Sequence, residues 1–570
     1  MKKTINYFDV PKIQSIQDMI VQSANKFNSK LALEDLNATP ISYLTYRELL
    51  DSILQFGSAL KEFGLKERTH IAVIGENRVQ WAISFLTCLC FNYVVVPIDK
   101  NLNENEIMNI IHESDAEAII FSESYASILA SGKSYMKNLK HYICMDKTSE
   151  DKKFRNMVDL MKNARRFTVG DLPKIDPTDL TEIIFTSGSL GRAKGVMLSQ
   201  KNLAVNLMDM VSLVQITDKD RFLSVLPMHH TYECTCGMLC PLYTGASIHY
   251  ARSLKTVVDD IQKVKATILL GVPLLYDKMF KRITKGIRDD KVKSKIVPPL
   301  VKVTNLFNSV GLKNIKKKIF AELHEKFGGN VRIFIAGGAA PDPLVAKGLR
   351  EFGFNFIQGY GLTETAPILT LNQLDNFKDD AAGIPLPSVE IKINEPDENG
   401  SGEVWAKGPN VMQGYYKNEA ATKNTFHESW FKTGDIGYID GDGFLHINGR
   451  KKNVIISRSG KNIFPEEIED ILNRSYFIKE SLIFGEKDLK QGEIIAAQIV
   501  VDAEAFIEYA EINKVKISNE LINKIISEEI EKINKKLSQF KHIKKFYVRE
   551  QEFEKTTTQK IKRYLVNQES

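Results

Sequence analysis

The residues best suited to chemistry are the small and polar ones of FTSGSLGRAKGV, residues 185–196. The apolar run TEIIF comes directly before them, so a strand should lead into this loop. Its glycines let a polyanion approach the backbone, and its hydroxyl, backbone N–H and ammonium groups can donate hydrogen bonds to phosphate oxygens. We therefore predict a phosphate-binding loop, with a flexible turn as the alternative, since the spacing is not that of a Walker loop. The residues assigned to it are Thr186, Ser187, Gly188, Ser189, Gly191 and Lys194.

Four further segments follow this loop in the chain. They are AGGAAP at 336–341, QGYGLTET at 358–365, KTGDIGYIDGDGFLHINGRKKNVI at 432–455 and KTTTQKIKR at 555–563. In this order, the five segments resemble the motifs of the adenylate-forming superfamily, which includes acyl-CoA synthetases, luciferases and the adenylation domains of peptide synthetases. The resemblance spans nearly the whole chain. It departs at Leu190, Ala193 and Gln559, where the family usually has Thr, Pro and Gly.

The resemblance implies a site for ATP and Mg²⁺ in the first part of the chain. Tyr360 would pack on adenine, while Thr363 and Glu364 would reach the phosphates and the metal. A carboxylate supported by a hydroxyl suits a hard cation that phosphates already hold, and Thr186 is assigned to the same cation. The remaining residues placed around the nucleotide are Gly338, Ala339, Gln358, Gly359 and Gly361.

The later motifs imply the rest of the machinery. Asp435 resembles the carboxylate that accepts both ribose hydroxyls, and Arg450 resembles the arginine that reaches ribose and phosphate. Lys452 would be the pivot of a mobile C-terminal domain, and the loop containing Gly460 would admit CoA. Lys560 resembles the lysine that bridges the substrate carboxylate and the α-phosphate; an ordinary basic tail is the alternative.

The residues predicted to bind the acid substrate lie in LPMHHTYECTCGMLC, residues 226–240. His230 resembles the histidine of a PLxH motif at the junction of carboxylate and phosphate, although a core histidine would look the same. Met228 stands where amino-acid-activating relatives place Asp, and a thioether cannot pair with an ammonium group, so we expect a plain carboxylic acid. The helix after His230 should offer a soft acyl lining made of Cys234, Thr235, Gly237 and Met238.

The sequences of these segments most resemble those of long-chain acyl-CoA synthetases. The implied function is ATP-dependent activation of a medium- or long-chain fatty acid to acyl-AMP and then to acyl-CoA, with ATP, Mg²⁺ and CoA as cofactors and co-substrate. Two alternatives stay open. One is an acyl-AMP ligase that loads a carrier protein, and the other is a catalytically weak relative that binds nucleotide or acyl chains.

Strand-like runs alternate with helical patterns over most of the 570 residues. This alternation predicts an α/β fold with mostly parallel, buried sheets. We expect a large N-terminal domain of layered α/β subdomains at 1–449 and a small mobile α+β domain at 450–570, as in acyl-CoA synthetases. Thr45 and Glu48 should form a helix capping box.

The composition limits which partners, location and metal sites are expected. The net charge of +6 is small for this length and does not indicate nucleic-acid binding. The start lacks a signal-peptide core, so the default location is the cytoplasm. The six cysteines fit buried thiols better than a zinc site, which needs spaced pairs.

Residues 281–318 hold twelve Lys or Arg against two acids, with apolar residues interleaved. This pattern fits a solvated helical face. It also fits a basic amphipathic surface that meets anionic lipid, at the inner face of the membrane, or an acyl carrier protein.

Overall fold

Short β-branched runs form strands and the amphipathic segments between them form helices in the computed structural model of the protein. The structure describes residues 5, 7–132, 136–146, 153–186, 193–309, 315–457, 461–488, 492–556 and 560–566. Within these ranges, no helix is both long and apolar enough to cross a membrane. The chain divides into two compact units. The first comprises residues 1–391, 406–431 and 442–444, and the second comprises 392–405, 432–441 and 445–570.

The helices of the first unit alternate with its strands along the chain. They are α1 (Ile16–Phe27), α2 (Tyr46–Glu62), α3 (Val79–Cys90), α4 (Glu104–Glu113), α5 (Ala126–Ser131), α6 (Met157–Asn163), α7 (Gln200–Leu213), α8 (Cys240–Thr244), α9 (Val257–Val264), α10 (Pro273–Asp289), α11 (Lys293–Ser309), α12 (Ile315–Ile319), α13 (Ala321–Glu325), α14 (Pro343–Glu351) and α15 (Glu419–Thr425). The helices of the second unit are α16 (Pro465–Leu472), α17 (Ala503–Asn513), α18 (Asn519–Asn534) and α19 (Arg563–Val566).

Most strands belong to the first unit. They are β1 (Leu31–Asp35), β2 (Ser42–Thr45), β3 (His70–Ile74), β4 (Val94–Pro97), β5 (Ala118–Phe121), β6 (His141–Cys144), β7 (Arg155–Asn156), β8 (Leu180–Thr186), β9 (Lys194–Ser199), β10 (Arg221–Ser224), β11 (Ser247–Tyr250), β12 (Ile268–Gly271), β13 (Ile333–Ala336), β14 (Asn355–Gly361), β15 (Ile368–Leu371) and β16 (Ile384–Pro385). The later strands are β17 (Glu390–Asn394), β18 (Gly402–Lys407), β19 (Gly414–Tyr415), β20 (Phe426–His427), β21 (Trp430–Ile439), β22 (Leu445–Arg450), β23 (Ile455–Ile456), β24 (Asn462–Ile463), β25 (Ile478–Asp488), β26 (Gly492–Val501) and β27 (Ile543–Arg549).

Two large sheets organise the first unit. Among the described residues, one has nine strands in the order β16-β15-β14-β13-β12-β10-β11-β1-β2, and the other has eight in the order β19-β9-β8-β4-β3-β5-β6-β7. The inner pairs of both sheets are parallel, and antiparallel pairs occur toward the edges, for example β14 with β15 and β8 with β9. Parallel strands need helical crossovers, which is why helices cover these sheets.

A helical layer lies between the two sheets. Helix α3 contacts β1 of one sheet and β3, β4 and β8 of the other, and α7 contacts β9 and β15. Helix α3 is buried over eleven of its twelve residues, as expected for a helix covered on both sides. Helix α2 begins at the predicted capping box of Thr45 and Glu48.

The second unit has its own core. Strands β25, β26 and β27 form a sheet in which β26 pairs antiparallel with β25 and parallel with β27. Apolar residues of α16 and α18, including Ile468, Ile526 and Ile530, pack in one cluster with Ile483 and Ile499 of this sheet. Helix α18 ends at Asn534.

The predicted fold class, a large N-terminal α/β part and a smaller C-terminal α+β part, is confirmed. The predicted boundary after Gly449 and the pivot at Lys452 both lie within the second unit and remain predictions. All six cysteines are buried free thiols. The basic segment 281–318 spans most of α10 together with α11 and α12.

Candidate active site

The candidate site begins at the carboxyl ends of β13 and β14. These strands are parallel neighbours with Ala336 opposite Gln358, so AGGAAP and QGYGLTET leave the sheet side by side. In open α/β sheets, ligands bind just beyond this edge. The close packing explains two of the glycines. A Cβ on Gly337 would lie 2.6 Å from the Tyr232 ring, and a Cβ on Gly361 would lie 1.8 Å from the Pro367 carbonyl oxygen.

The segment after β14 is a single 3-10 turn, Thr363–Thr365. The Glu364 carboxylate accepts a hydrogen bond of 2.9 Å from the Tyr415 hydroxyl. The hydroxyl oxygens of Thr363 and Thr231 are 3.5 Å apart, so this turn lies beside the residue that follows His230. Tyr360 is half-buried before the turn.

One end of the glycine-rich loop, at Lys194, meets the same tyrosine. Strands β8 and β9 pair antiparallel, with Thr186 opposite Lys194. The Lys194 ammonium lies 4.9 Å from the centre of the Tyr415 ring, a favourable cation–π contact. Tyr415 therefore links the loop to Glu364. The loop residues Ser187, Gly188, Ser189, Leu190 and Gly191 lie outside the described residues.

Sequence reasoning missed Tyr415. The residue lies in GYYKN, outside all five motifs, on the two-residue strand β19. Its position depends on pairing with β9, where Tyr415 is opposite Val196. The only signal in the sequence was an aromatic pair next to a glycine, which is too common to assign a role.

The other residues assigned to the nucleotide at this edge of the sheet are exposed, bind a neighbouring loop through hydrogen bonds, or pair with β15. Gly338 has φ +82°, which favours glycine, and Ala339 is exposed beside it. The side-chain amide of Gln358 donates to the carbonyls of Ala381 at 2.6 Å and Asp379 at 3.2 Å. Gly359 is opposite Leu371 of β15.

His230 is half-buried at the start of a π-helix, Tyr232–Leu239. Such wide helical turns are rare and occur often at functional sites. The neighbouring His229 is buried, with its Nε2 3.5 Å from an Asp99 carboxylate oxygen. His230 thus lies next to Thr231, which contacts the 3-10 turn of Glu364.

An apolar cavity of about 40 Å³ lies against the same strands. From the helix after His230 it takes Tyr232, Cys236 and Cys240. The role of Cys234, Thr235, Gly237 and Met238 as acyl lining stays a prediction; none of them lies on this cavity. The physical reason is that the inward face of this helix repeats every four residues, at 232, 236 and 240, whereas the predicted set runs through consecutive positions.

Two carboxyl groups are buried near this helix. Burial raises the pKa of Glu233 to about 8, although the Ser224 hydroxyl, which donates to it at 2.5 Å, opposes the shift. Burial likewise raises the pKa of Glu182 on β8 to about 8. Both groups are therefore protonated in the folded protein at pH values where an exposed glutamate is ionised.

The second unit brings Asp435 and Arg450 together. They are opposite each other on β21 and β22, and Arg450 Nε lies 3.0 Å from Asp435 Oδ1. Arg450 also donates to the Thr433 carbonyl at 3.0 Å. Asp435 is buried, whereas Arg450 is partly exposed.

The other predicted residues of the second unit lie in turns. Lys452 is exposed in the 3-10 turn Lys451–Asn453. Lys560 is exposed, and its backbone N–H donates to the Thr556 hydroxyl while its carbonyl accepts from the Thr556 N–H. Gly460 and Gln559 lie outside the described residues.

Two family models match the chain. Residues 20–416 match the family model described as AMP-binding enzyme, and residues 452–569 match the model of the AMP-binding enzyme C-terminal domain. The chain belongs to the AMP-binding enzyme family.

Curated relatives include two plant proteins. Long chain acyl-CoA synthetase 2 of Arabidopsis thaliana is 26% identical over 84% of this chain and 76% of its own length. A chloroplastic long-chain-fatty-acid–[acyl-carrier-protein] ligase of the same plant is 27% identical over 85% of this chain and 76% of its own length.

Solved structures share the fold. An anthranilate CoA ligase in complex with anthranoyl-AMP has a TM-score of 0.79 at 19% identity, covering 98% of both chains. ATP-bound MatB from Rhodopseudomonas palustris has a TM-score of 0.77 at 22% identity, covering 97% of this chain and 98% of its own.

The buried carboxyl of Glu233 gives a testable pH dependence. Its pKa of about 8 lies above the ordinary 4.5 of the unfolded chain, so the folded state holds an extra proton between these values. The free energy of unfolding should therefore fall as pH rises from about 4.5 to about 8, by at most about 1.4 kcal/mol per pH unit for one such group. Glu233→Gln, whose amide oxygen can still accept from Ser224, should make this fall shallower in denaturant titrations. An unchanged slope would contradict the burial of an ionisable carboxyl there.

Proposed function

We propose that the protein activates a carboxylic acid with ATP and transfers the acyl group to CoA. A carboxylate oxygen attacks the α-phosphorus, the bond from that phosphorus to the bridging oxygen of pyrophosphate breaks, and acyl-AMP forms. The CoA thiol sulfur then attacks the acyl carbonyl carbon, the bond to AMP breaks, and the thiol proton passes to solvent. Products are acyl-CoA, AMP and pyrophosphate.

One observation carries this proposal: Tyr415 joins Lys194, at one end of the glycine-rich loop, to Glu364. An apolar cavity is lined by Ala336 and Gly359 of the neighbouring motif segments. A loop of N–H, hydroxyl and ammonium donors suits the phosphates of ATP. An acyl chain needs an apolar wall next to them. The similarity to long chain acyl-CoA synthetases supports a medium- or long-chain fatty acid as the substrate.

Different residues would have different roles in adenylation. Tyr360, Gly338 and Ala339 would enclose adenine, while Asp435 and Arg450 would hold ribose and phosphate. Lys560 would neutralise the negative charge that develops at the α-phosphate, and His230 would line the junction with the acid. Catalysis of this kind is electrostatic and positional.

The residues present fit a Mg²⁺ ion that arrives with the nucleotide. Magnesium is typically held by one or two carboxylates together with substrate phosphates. Glu364 supplies one carboxylate and Thr186 a hydroxyl. Within the described ranges there is no group of three or more His, Cys, Asp or Glu that could cage a metal. When bound, the cation would offset the charge of the phosphates.

A second step at the same site requires a rearrangement. We place the pivot at Lys452, between a domain of residues 1–449 and one of 450–570. Rotation there would withdraw Lys560 and present the loop of Gly460 to CoA. An acyl-AMP ligase that loads a carrier protein is the second candidate, favoured by the similarity to the plant acyl-carrier-protein ligase. CoA thioester formation by the purified chain separates the two.

The role of Lys560 can be tested by separating the two steps. Lys560→Ala should lower acid-dependent ATP–pyrophosphate exchange by roughly 10²–10³-fold, because it removes a charge that acts on the adenylation transition state. Thioester formation from supplied acyl-adenylate should stay near the wild-type rate. Lys544→Ala, which removes an exposed lysine of β27, is the control for both assays. Equal loss in both steps would exclude the assigned role.

Tyr415 offers a second test. Tyr415→Phe keeps the ring that faces Lys194 but removes the hydrogen bond to Glu364, so the carboxylate loses its orientation. A hydrogen bond to a charged group is worth about 1.5–3 kcal/mol, and we expect the kcat/KM for ATP to fall by about tenfold or more. Tyr416→Phe is the matched control, because the Tyr416 hydroxyl donates to Asp115 instead. Equal effects of the two variants would show that Tyr415 has no special role.

We also propose that α11 meets an anionic membrane surface. Val292, just before this helix, and Ile296 and Val303 within it are 63%, 54% and 49% accessible. Lys291, Lys295 and Lys302 lie exposed among them. Exposed aliphatic residues between lysines suit the boundary of headgroups and acyl chains, whereas a purely solvated face would not need them.

Cosedimentation with vesicles tests this surface. The wild type should bind phosphatidylserine-containing vesicles at low salt and release them as salt screens the charges. The triple variant Lys291→Glu, Lys295→Glu and Lys302→Glu should lose binding. A control triple variant should keep it: Lys66→Glu, Lys174→Glu and Lys219→Glu, all at exposed positions. No binding by the wild type at low salt would refute the proposal, and binding of acyl carrier protein alone would assign the surface to that partner.

A further inference from the structure

The apolar cavity beside the active site has two unlike walls. One wall is made by neighbouring strands of the nine-stranded sheet: β10, β12, β13, β14 and β15. The other comes from α7 and from the helix after His230, through Met210, Tyr232, Cys236 and Cys240. The strand wall includes Ala336 and Gly359, which belong to the two motif segments at the carboxyl edge. The cavity therefore adjoins the candidate active site.

The sulfur atoms of the helical wall touch each other. The Met210 and Cys236 sulfurs are 3.6 Å apart, and both residues are buried. The space left in front of them is about 40 Å³. That is room for about three water molecules, each of which needs roughly 10–15 Å³ of such space, and a fatty acyl chain is much larger.

One of the two walls must therefore yield to admit a chain. The strand wall is fixed by backbone hydrogen bonds on both sides of each inner strand. Methionine, in contrast, has an unbranched side chain with three rotatable bonds and adapts to irregular space. The Met210 side chain can swing away from Cys236 without moving the backbone of α7.

We propose that Met210, with its contact to Cys236, sets the acyl-chain length that the enzyme accepts. The Met210 side chain forms a movable stop in the helical wall, and the chain enters by parting the two sulfurs. This inference rests on the proposed function, since it assigns the cavity to the acyl group. Met210 and Cys236 are thus specificity-determining residues rather than catalytic ones.

Two substitutions at Met210 should shift the chain-length profile in opposite directions. Acid-dependent ATP–pyrophosphate exchange is measured with saturated acids from short to long chain. Met210→Ala enlarges the cavity and should move the preferred acid to longer chains. Met210→Phe fills the cavity and should move it to shorter ones. Each change in the ratio of long-chain to short-chain kcat/KM should be about tenfold, the lower end of what one methylene is worth in an apolar pocket.

Controls separate this effect from general loss of packing. Met208→Ala removes the same type of side chain from the same helix, α7, at a half-buried position outside the cavity lining, and its profile should equal that of the wild type. Cys236→Ala, a smaller truncation, should shift the preferred acid in the same direction as Met210→Ala. If Met210→Ala does not fold, the shift measured for Cys236→Ala tests the proposal in its place.

The outcomes are distinguishable. Opposite shifts for Met210→Ala and Met210→Phe support the inference. Unchanged profiles, shifts in the same direction, or a Met208→Ala profile that moves equally would overturn it while leaving the proposed function intact. A wild type without exchange for any acid would overturn the proposed function and this inference together.

Discussion

The parallel register of β13 and β14 is the constraint on which the candidate site depends. Ala336 lies opposite Gln358, so AGGAAP and QGYGLTET end at one edge although they are separate in the chain. A slip of one residue would turn every side chain of β14 to the other face of the sheet. Ile357 and Gly359 would leave the cavity, and Tyr360 would point elsewhere. Residues 337 and 361 must be glycines in this arrangement, because Tyr232 and Pro367 occupy the space that a side chain would need.

The helix after His230 is fixed to this sheet by a buried acid. Burying a carboxyl group costs free energy unless it is neutral or hydrogen-bonded, and Glu233 is both protonated and paired with Ser224 of β10. A Cβ on Gly237 would lie 2.6 Å from this carboxyl, so the acid packs directly on its own helix. The pairing ties the first turn of the π-helix to the sheet. Tyr232 and Cys236 are thereby held against the strands, which gives the cavity its shape.

Much of the fold could be predicted from the sequence, because buried parallel strands appear as short apolar runs and Thr45 carries a complete capping box. The five motifs also indicated most candidate site residues. Tyr415 could not be found in this way, since its role depends on the long-range pairing of β19 with β9. The residues of the helix after His230 that line the cavity could not be found either, for a related reason. Residues 234–240 are all apolar or small, so the sequence does not show which face of this part of the helix turns inward.

The pairing of Asp435 with Arg450 prepares a buried carboxylate of the second unit to bind a ligand that carries hydroxyl groups. A diol donates two hydrogen bonds, and an ionised carboxylate accepts both, whereas a protonated one accepts less well. A buried charge needs a partner to offset its desolvation, and the Arg450 guanidinium supplies one at 3.0 Å. Because the two residues are opposite each other on adjacent strands, the pair is set by backbone register rather than by flexible side chains. Such a pair is preorganised for a ligand that carries both hydroxyl groups and negative charge, as a nucleotide does.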